Sequence, residues 1–204
     1  MRLGTNGGRA LAAVLGWVLS ASLVLSGCGL LGKPAPLSAN AAVKIVLTSP
    51  AFTDDVIPAR FTCYGARQSP PIFWYGAPPG TKSLVLVVDD SAAPIAPRVY
   101  WIVFDIDPSA TFLQGGELPP HARVAQNSSG KADYDAPCPA GSPHNYRFTV
   151  YALNTALGKS LPPDPPLLQT WTAIAAHVIA RGTLTARACP NALPPEAGQC
   201  GSGA

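Results

Sequence analysis

A proline-rich loop that runs directly into an apolar strand is the feature that most constrains how this chain can fold. Residues 134–151 read YDAPCPAGSPHNYRFTVY, and each of the three prolines fixes φ and removes a backbone donor, so the first half is a stiff loop. Residues 146–153 are β-branched and aromatic with roughly alternating polarity, which is typical of a half-buried strand. Side chains two apart on an extended chain point to the same face, so we expect His144 and Tyr146 to project side by side.

The composition favours one mainly β domain. The chain has 204 residues with 23 Pro and 19 Gly, and only 12% of its residues are charged. Many turn formers and few charges are typical of short strands joined by structured loops, and they argue against a helical bundle or coiled coil. The formal net charge is +3 and the basic residues form no stripe, so we expect no nucleic-acid partner.

The N-terminus has the pattern of a bacterial lipoprotein signal. Arg2 and Arg9 precede an apolar run, residues 10–25, that is short for a bilayer span. The run ends in LSGC, which resembles the lipobox whose cysteine, here Cys28, receives acyl chains such as palmitate. We therefore predict a signal peptide at residues 1–27 and anchoring to the outer face of the bacterial cell membrane. The alternative is an uncleaved anchor helix with an incidental cysteine.

Three further segments follow from this address. Residues 28–42 have the composition of a flexible tether between the lipidated cysteine and the domain. Residues 43–190 form the predicted globular domain. Residues 191–204 are rich in Pro and Gly and are predicted to be a loose tail.

Export also decides how the remaining cysteines are interpreted. Cys63, Cys138, Cys189 and Cys200 are an even number in an oxidising compartment, so we predict two disulfides. Three pairings are possible. We favour Cys63 with Cys138 and Cys189 with Cys200, because the last two are close in sequence. A zinc site is the competing interpretation, but the spacings include no C-x-x-C, and we expect neither metal nor cofactor.

Apolar runs and turn signals outline the secondary structure of the domain. Strands are predicted at residues 43–47, 72–74, 83–88, 100–106, 146–153 and 184–188. The run at 83–88 is almost wholly apolar, which favours a central strand, and Asp89 and Asp90 follow it where they could line a crevice. A helix over 171–181 is predicted, with Thr170 as its N-cap and Gly182 at its C-terminal end.

Several separated segments together resemble the phosphatidylethanolamine-binding protein (PEBP) family, in particular its bacterial Raf-kinase-inhibitor-like branch. The segments are TCYG at 62–65, SPPIFW at 69–74, GTKSL at 80–84 running into Asp90, YWIV at 100–103, NSSG at 127–130, residues 134–153 and AIAAHVIA at 173–180. The resemblance covers residues 52–189. It implies a mainly β fold, in which a large antiparallel sheet packs on a smaller sheet with peripheral helices. It also implies a small anion pocket at strand ends, where family members bind phosphate, phosphorylethanolamine or similar headgroups.

The resemblance also assigns pocket residues. The family's D-P-D-A-P turn falls on residues 90–94, its H-W motif on 100–101, its G-P-C-P-P loop on 136–140 and its H-R-Y on 144–146. The ligand-binding residues implied are Asp90, Tyr100, Trp101, Pro137, His144 and Tyr146. Two of the family's polar pocket groups are replaced, because Ala92 stands in place of an aspartate and Tyr100 in place of a histidine. A phenol is a neutral donor and acceptor where an imidazole can carry positive charge. We therefore predict a pocket that prefers a less charged polar ligand and binds phosphate weakly.

Three classes of function remain. The first is a lipid-anchored binding protein for a small polar or phosphoryl headgroup. The alternative is a protein-interaction or protease-inhibitor module with a secreted protein partner. The third is an enzyme, which we do not expect, because the chain lacks a G-x-S-x-G elbow, an H-E-x-x-H helix and a Gly-rich phosphate loop.

Overall fold

The most apolar run of the sequence forms the centre of a five-stranded antiparallel sheet. The computed structural model describes residues 45–91, 93 and 97–190. Its elements are β1 (Val46–Thr48), a 3-10 turn (Ala59–Phe61), β2 (Ile72–Tyr75), β3 (Ser83–Asp90), β4 (Arg98–Ile106), β5 (Phe112–Leu113), β6 (Arg123–Val124), β7 (His144–Leu153), α1 (Leu167–His177) and β8 (Val178–Ala188). The large sheet has the order β6-β4-β3-β7-β8. Every residue of β3 is buried, which confirms the predicted central strand.

A smaller sheet of order β1-β2-β5 packs on one face of the large sheet. Along these short strands exposed and buried residues alternate, because successive side chains point to opposite faces. The inward set includes Leu47, Trp74 and Leu113, which share a core with Leu86 of β3 and Phe148 of β7. The predicted architecture, a large antiparallel sheet packed on a smaller one, is confirmed.

A second core lies on the opposite face of the large sheet, where α1 covers it. Val87 of β3 and Phe104 of β4 pack there with Ile174 of the helix. Tyr151 and Trp171 add an edge-to-face ring contact with centroids 6.1 Å apart. The small sheet and α1 therefore lie on opposite faces of the large sheet.

The predicted bounds of the helix are wrong. The helix spans Leu167–His177 instead of 171–181, and Pro166 precedes its first turn. Thr170 lies inside the helix, where its hydroxyl donates to the carbonyl of Pro166 at 3.0 Å, so it is not the N-cap. Gly182 lies inside β8 and not at a helix end.

The role of Gly182 explains the error at the helix C-terminus. A Cβ at this position would lie 1.8 Å from the carbonyl oxygen of Ile45. Glycine is therefore required by the close approach of the backbone that leads into β1, and not by a helix stop. The predicted last strand, 184–188, is correspondingly too short, since β8 runs from Val178 to Ala188 and pairs with β7 along its length.

A disulfide joins Cys63 to Cys138, with Cα atoms 5.1 Å apart. This is the pairing favoured from the sequence. Cys189 is also disulfide-bonded, but its predicted partner Cys200 lies outside the described residues. The predicted signal peptide, lipidated Cys28, tether and C-terminal tail fall there too. Among the described residues no helix is long and apolar enough to cross a membrane.

Candidate functional site

Two of the predicted pocket residues, Asp90 and His144, form a hydrogen-bonded pair. Asp90 is the last residue of β3 and His144 the first of β7, and these strands are antiparallel neighbours. Nδ1 of His144 lies 2.7 Å from Oδ2 of Asp90. The Asp90 side chain is only 4% exposed, whereas that of His144 is 29% exposed. The buried carboxylate therefore accepts from Nδ1–H and fixes the ring, which leaves Nε2 as the nitrogen available to other groups.

Tyr146 lies directly opposite Asp90 in the β3–β7 pairing. Its ring and that of His144 are on the same face of β7, with centroids 6.5 Å apart, as the sequence predicted for residues two apart on a strand. Tyr146 is fully buried, yet its hydroxyl has no hydrogen-bond partner among the described residues. Leaving a buried hydroxyl without a partner costs roughly 1–3 kcal/mol, so this atom is an unusual feature of the site.

Tyr100 reaches the same place through an irregularity in β4. Val88 pairs with Trp101 while the next residue, Asp89, pairs with Val99, so Tyr100 is the extra residue of a β-bulge. Both Tyr100 and Trp101 consequently belong to the core between the two sheets. The Tyr100 ring meets the Tyr146 ring edge to face, with centroids 5.3 Å apart.

Both phenols are neutral over the physiological pH range. Burial raises the pKa of Tyr146, and neighbouring Tyr100 and Asp90 raise it further. Burial also raises the pKa of Tyr100, against smaller opposing effects of hydrogen bonding with the neighbouring Tyr146 hydroxyl and of the charge on Arg98. The two hydroxyls are close enough for hydrogen bonding between them to affect the pKa of each, but the Tyr146 hydroxyl makes no hydrogen bond of normal length and angle with a described residue. The site therefore offers two uncharged hydroxyl groups, one imidazole edge and a buried carboxylate.

A cation at the rim was missed from the sequence. Arg98 lies opposite Asp90 in the β3–β4 pairing, and its guanidinium sits 5.2 Å from the centroid of the Tyr100 ring. Nη2 of Arg98 donates to Asp135 at 2.8 Å and to Ser129 at 2.9 Å. The available signal in the sequence was that Arg98 lies two residues before Tyr100, which on a regular strand would place both side chains on the same face. The bulge at Tyr100 breaks that two-residue periodicity.

The other predicted positions, Trp101 and Pro137, make their described contacts with other residues. Trp101 packs edge to face on Tyr134, with centroids 5.3 Å apart, and is almost fully buried. Pro137 is buried, and its carbonyl accepts from the backbone N–H of Cys63 at 3.0 Å, beside the disulfide. Both residues support the site in the fold, and no described contact joins them to Asp90 or His144. Ala92 lies outside the described residues.

Two clefts of the described surface are lined by other residues. One, of about 540 Å³, is bordered by Arg123 and Asp164. The other, of about 390 Å³, is bordered by Tyr134 and by Ser129 and Asp135, which accept hydrogen bonds from Arg98. Asp90, Tyr100, His144 and Tyr146 line neither of these two clefts. No three His, Cys, Asp or Glu side chains of the described ranges are grouped so that they could hold a metal ion.

Comparison with known proteins identifies the family. The family model described as phosphatidylethanolamine-binding protein matches residues 48–188. The chain belongs to the phosphatidylethanolamine-binding protein family. This confirms the resemblance seen in the sequence, and the matched segment contains Asp90, Tyr100, His144 and Tyr146.

Individual members of the family are similar over most of the domain. A UPF0098 protein of Mycobacterium tuberculosis is 41% identical over 192 residues, which cover 86% of this chain and 90% of that protein. A second protein of the same organism, named "Putative lipoprotein LppC", is 41% identical over 145 residues, covering 70% of this chain and 69% of its own. Among solved structures, the PEBP homologue CT736 from Chlamydia trachomatis is 31% identical with a TM-score of 0.63, covering 72% of this chain and 97% of that one.

Proposed function

We propose that this PEBP-family member is a lipid-anchored, extracytoplasmic protein that binds a small polar or phosphoryl headgroup at Tyr146. The observation that carries the proposal is the Tyr146 hydroxyl, which is fully buried without a partner among the described residues. Native proteins pair nearly all buried polar groups, so an orphaned one next to an exposed imidazole edge points to a bound molecule. The adjacent Asp90–His144 pair supplies a second, pre-oriented polar group.

Each side chain has a separate role in this proposal. Tyr146 and Tyr100 donate hydroxyl hydrogen bonds to acceptor oxygens of the ligand. Asp90 orients His144, whose Nε2 accepts from a ligand hydroxyl or ammonium when the imidazole is neutral and donates when it is protonated. Because both phenols are neutral and Asp90 contributes a buried carboxylate, a weakly charged or neutral polar group is preferred over a phosphate dianion.

The proposal is for binding without turnover. Asp90 bonds to His144, but no nucleophilic side chain among the described contacts bonds to that imidazole. We expect no hydrolysis of generic esters or phosphoesters that is lost in His144→Ala. An enzyme assay with those substrates tests this part.

Calorimetric titration tests the binding site. The probes are inorganic phosphate, phosphorylethanolamine and uncharged inositol. We expect inorganic phosphate to bind with the lowest affinity of the three. Tyr146→Phe removes one hydroxyl and should weaken the binding of whichever probe binds best by about fivefold to tenfold, since a net hydrogen bond contributes about 1 kcal/mol. Tyr134→Phe is the matched control, because its hydroxyl donates to the carbonyl of Phe61 and not to the site.

Tyr100→His tests the predicted effect of the altered pocket. An imidazole here should raise phosphate affinity, and more so at pH 6 than at pH 8, because the unperturbed pKa of histidine is about 6.5. Tight phosphate binding by the native protein that Tyr100→Phe left intact would refute the ligand preference. Inhibition of a secreted serine protease that persists in Tyr146→Phe would favour the protein-interaction alternative.

The anchor has its own test. The supporting observations are the LSGC segment ending at Cys28 and the similarity to a protein named as a lipoprotein. Intact mass of the chain recovered from bacterial membranes should show cleavage before Cys28 and added acyl chains. Cys28→Ser should release the protein from the membrane fraction. A Cys28→Ser protein that stays with the membrane would contradict anchoring by acylation.

A further inference from the structure

The outer face of the small sheet exposes four large apolar side chains. The outward residues of β1, β2 and β5 are Val46, Thr48, Phe73, Tyr75 and Phe112. Tyr75 is 63% exposed, Phe112 49%, Val46 44% and Phe73 40%. None of these outward residues is charged. We call this group of five residues the small-sheet face.

Strand pairing makes the small-sheet face continuous. Val46 lies opposite Tyr75, Thr48 opposite Phe73, and Phe73 opposite Phe112. The rings of Phe73 and Phe112 stack with centroids 5.6 Å apart and an interplanar angle of 22°. Singly exposed apolar residues are common on protein surfaces. A continuous aromatic patch, in contrast, marks a surface that contacts a protein partner or a membrane.

The position of this face in the chain indicates what covers it. Cys28 precedes Val46 by 18 residues in the sequence. A flexible chain of that length has a root-mean-square span of about 20–25 Å. If Cys28 is acylated and the tether is flexible, as its composition predicts, then β1, at the edge of the small sheet, lies within about that distance of the bilayer. Among the described strands, β1 is the one that this tether enters first.

We propose that the small-sheet face rests on the lipid bilayer to which Cys28 anchors the protein. Tyr and Phe side chains favour the boundary between headgroups and acyl chains, and an apolar face without charge gains free energy on leaving water there. The inference depends on the proposed lipid anchor. It adds an orientation of the domain, in which α1, on the opposite face of the large sheet, points away from the membrane.

Site-specific fluorescence quenching tests the orientation. Thr48→Cys on the small-sheet face and Gln169→Cys on α1, both exposed positions, are labelled with an environment-sensitive dye in the full acylated chain. The proteins are reconstituted into phosphatidylethanolamine–phosphatidylglycerol vesicles that contain nitroxide-labelled lipid. We expect the dye at position 48 to be quenched several-fold more strongly than the dye at position 169.

Substitutions then test whether the apolar side chains cause the contact. Phe73→Ser combined with Phe112→Ser should lower quenching at position 48 to the level seen at position 169. Leu168→Ser is the matched control, because Leu168 is 64% exposed on α1, and it should leave quenching unchanged. Circular dichroism and thermal unfolding of each variant establish that the fold is retained.

The outcomes separate this inference from the proposed function. Equal quenching at both positions in acylated protein overturns the orientation and leaves the anchor intact. An intact mass without acyl chains overturns both, whereas the calorimetric test of Tyr146 is independent of either result. A dye at position 48 that is shielded from aqueous iodide but not quenched by lipid, in a protein that sediments as a dimer, would assign the face to a second copy and overturn the proposal.

Discussion

Removing the Tyr146 hydroxyl should make the unliganded protein more stable. The side chain is fully buried and its Oη has no partner among the described residues, so the folded state bears the desolvation cost of that group. Tyr146→Phe keeps the ring, including its edge-to-face contact with Tyr100. We expect a gain of about 1 kcal/mol in the free energy of unfolding, at the low end of the range for an unsatisfied group. For a domain of this size that corresponds to about 2–4 °C in Tm.

The matched control, Tyr134→Phe, is expected to lower the free energy of unfolding. The Tyr134 hydroxyl donates to the carbonyl of Phe61 at 2.9 Å, across 73 residues of sequence. Tyr134→Phe breaks that bond and leaves the carbonyl without it, which should cost about 0.5–1.5 kcal/mol. Guanidinium unfolding of the native protein and both variants, with one common m-value, gives the three free energies.

A bound ligand should reduce the stability advantage of Tyr146→Phe. A molecule that binds the folded state raises its stability. Saturating phosphorylethanolamine should therefore raise the Tm of the native protein and of Tyr134→Phe, and it should raise the Tm of Tyr146→Phe by a smaller amount. If Tyr146→Phe destabilises the unliganded protein as much as Tyr134→Phe does, the Tyr146 hydroxyl is satisfied within the fold. The reasoning that makes it a ligand-binding group would then be refuted.

Two further predictions concern stability. The Cys63–Cys138 bridge closes a loop with a sequence separation of 75, so Cys63→Ser with Cys138→Ser should cost about 4.5 kcal/mol by the chain-entropy estimate. Guanidinium unfolding measures this loss. A loss below about 1 kcal/mol would contradict the view that the disulfide stabilises the fold by restricting the unfolded chain. Burial raises the pKa of Tyr151 to about 12, with Asp89 adding to it. Since the unfolded pKa is near 10, this contribution of about 2–3 kcal/mol is complete below pH 10 and is lost as pH rises to 12. In urea unfolding at pH 9–12, the free energy of unfolding of Tyr151→Phe should decline less steeply with pH than that of the native protein. Equal slopes would argue against a raised pKa of Tyr151.

The sequence predicted those parts of the site that follow from strand periodicity. His144 and Tyr146 share a face because they are two apart on one strand, and this needs no knowledge of the neighbours. The central position of β3 followed from its unbroken apolar run, and the family resemblance added the expectation that Asp90 meets His144. The distance of 2.7 Å between these side chains depends on the β3–β7 register, which no local pattern specifies.

Features that depend on distant backbone were beyond local patterns. The chain changes from helix to strand between His177 and Val178, within a run that is apolar on both sides of the change. Helical periodicity continues through that run, but pairing with β7 takes up the segment from Val178 onward. Gly182 looked like a helix end because its real constraint, the carbonyl of Ile45, lies far away in sequence.

The bulge in β4 fixes where the side chain of residue 100 lies, whatever the chemical type of that side chain. Tyr100 faces Tyr146 because the backbone inserts one extra residue there, and this placement depends on the β3–β4 pairing on both sides of it. A different side chain at position 100 would therefore be delivered to the same place. Under the proposed function, the charge of that side chain, together with the charges of the buried Asp90 and of Arg98 at the rim, would decide which headgroup the site favours. A phenol at this position keeps the hydrogen-bonding capacity of the site while removing a titratable cation, so we expect the substitution to change the preferred ligand without changing the fold.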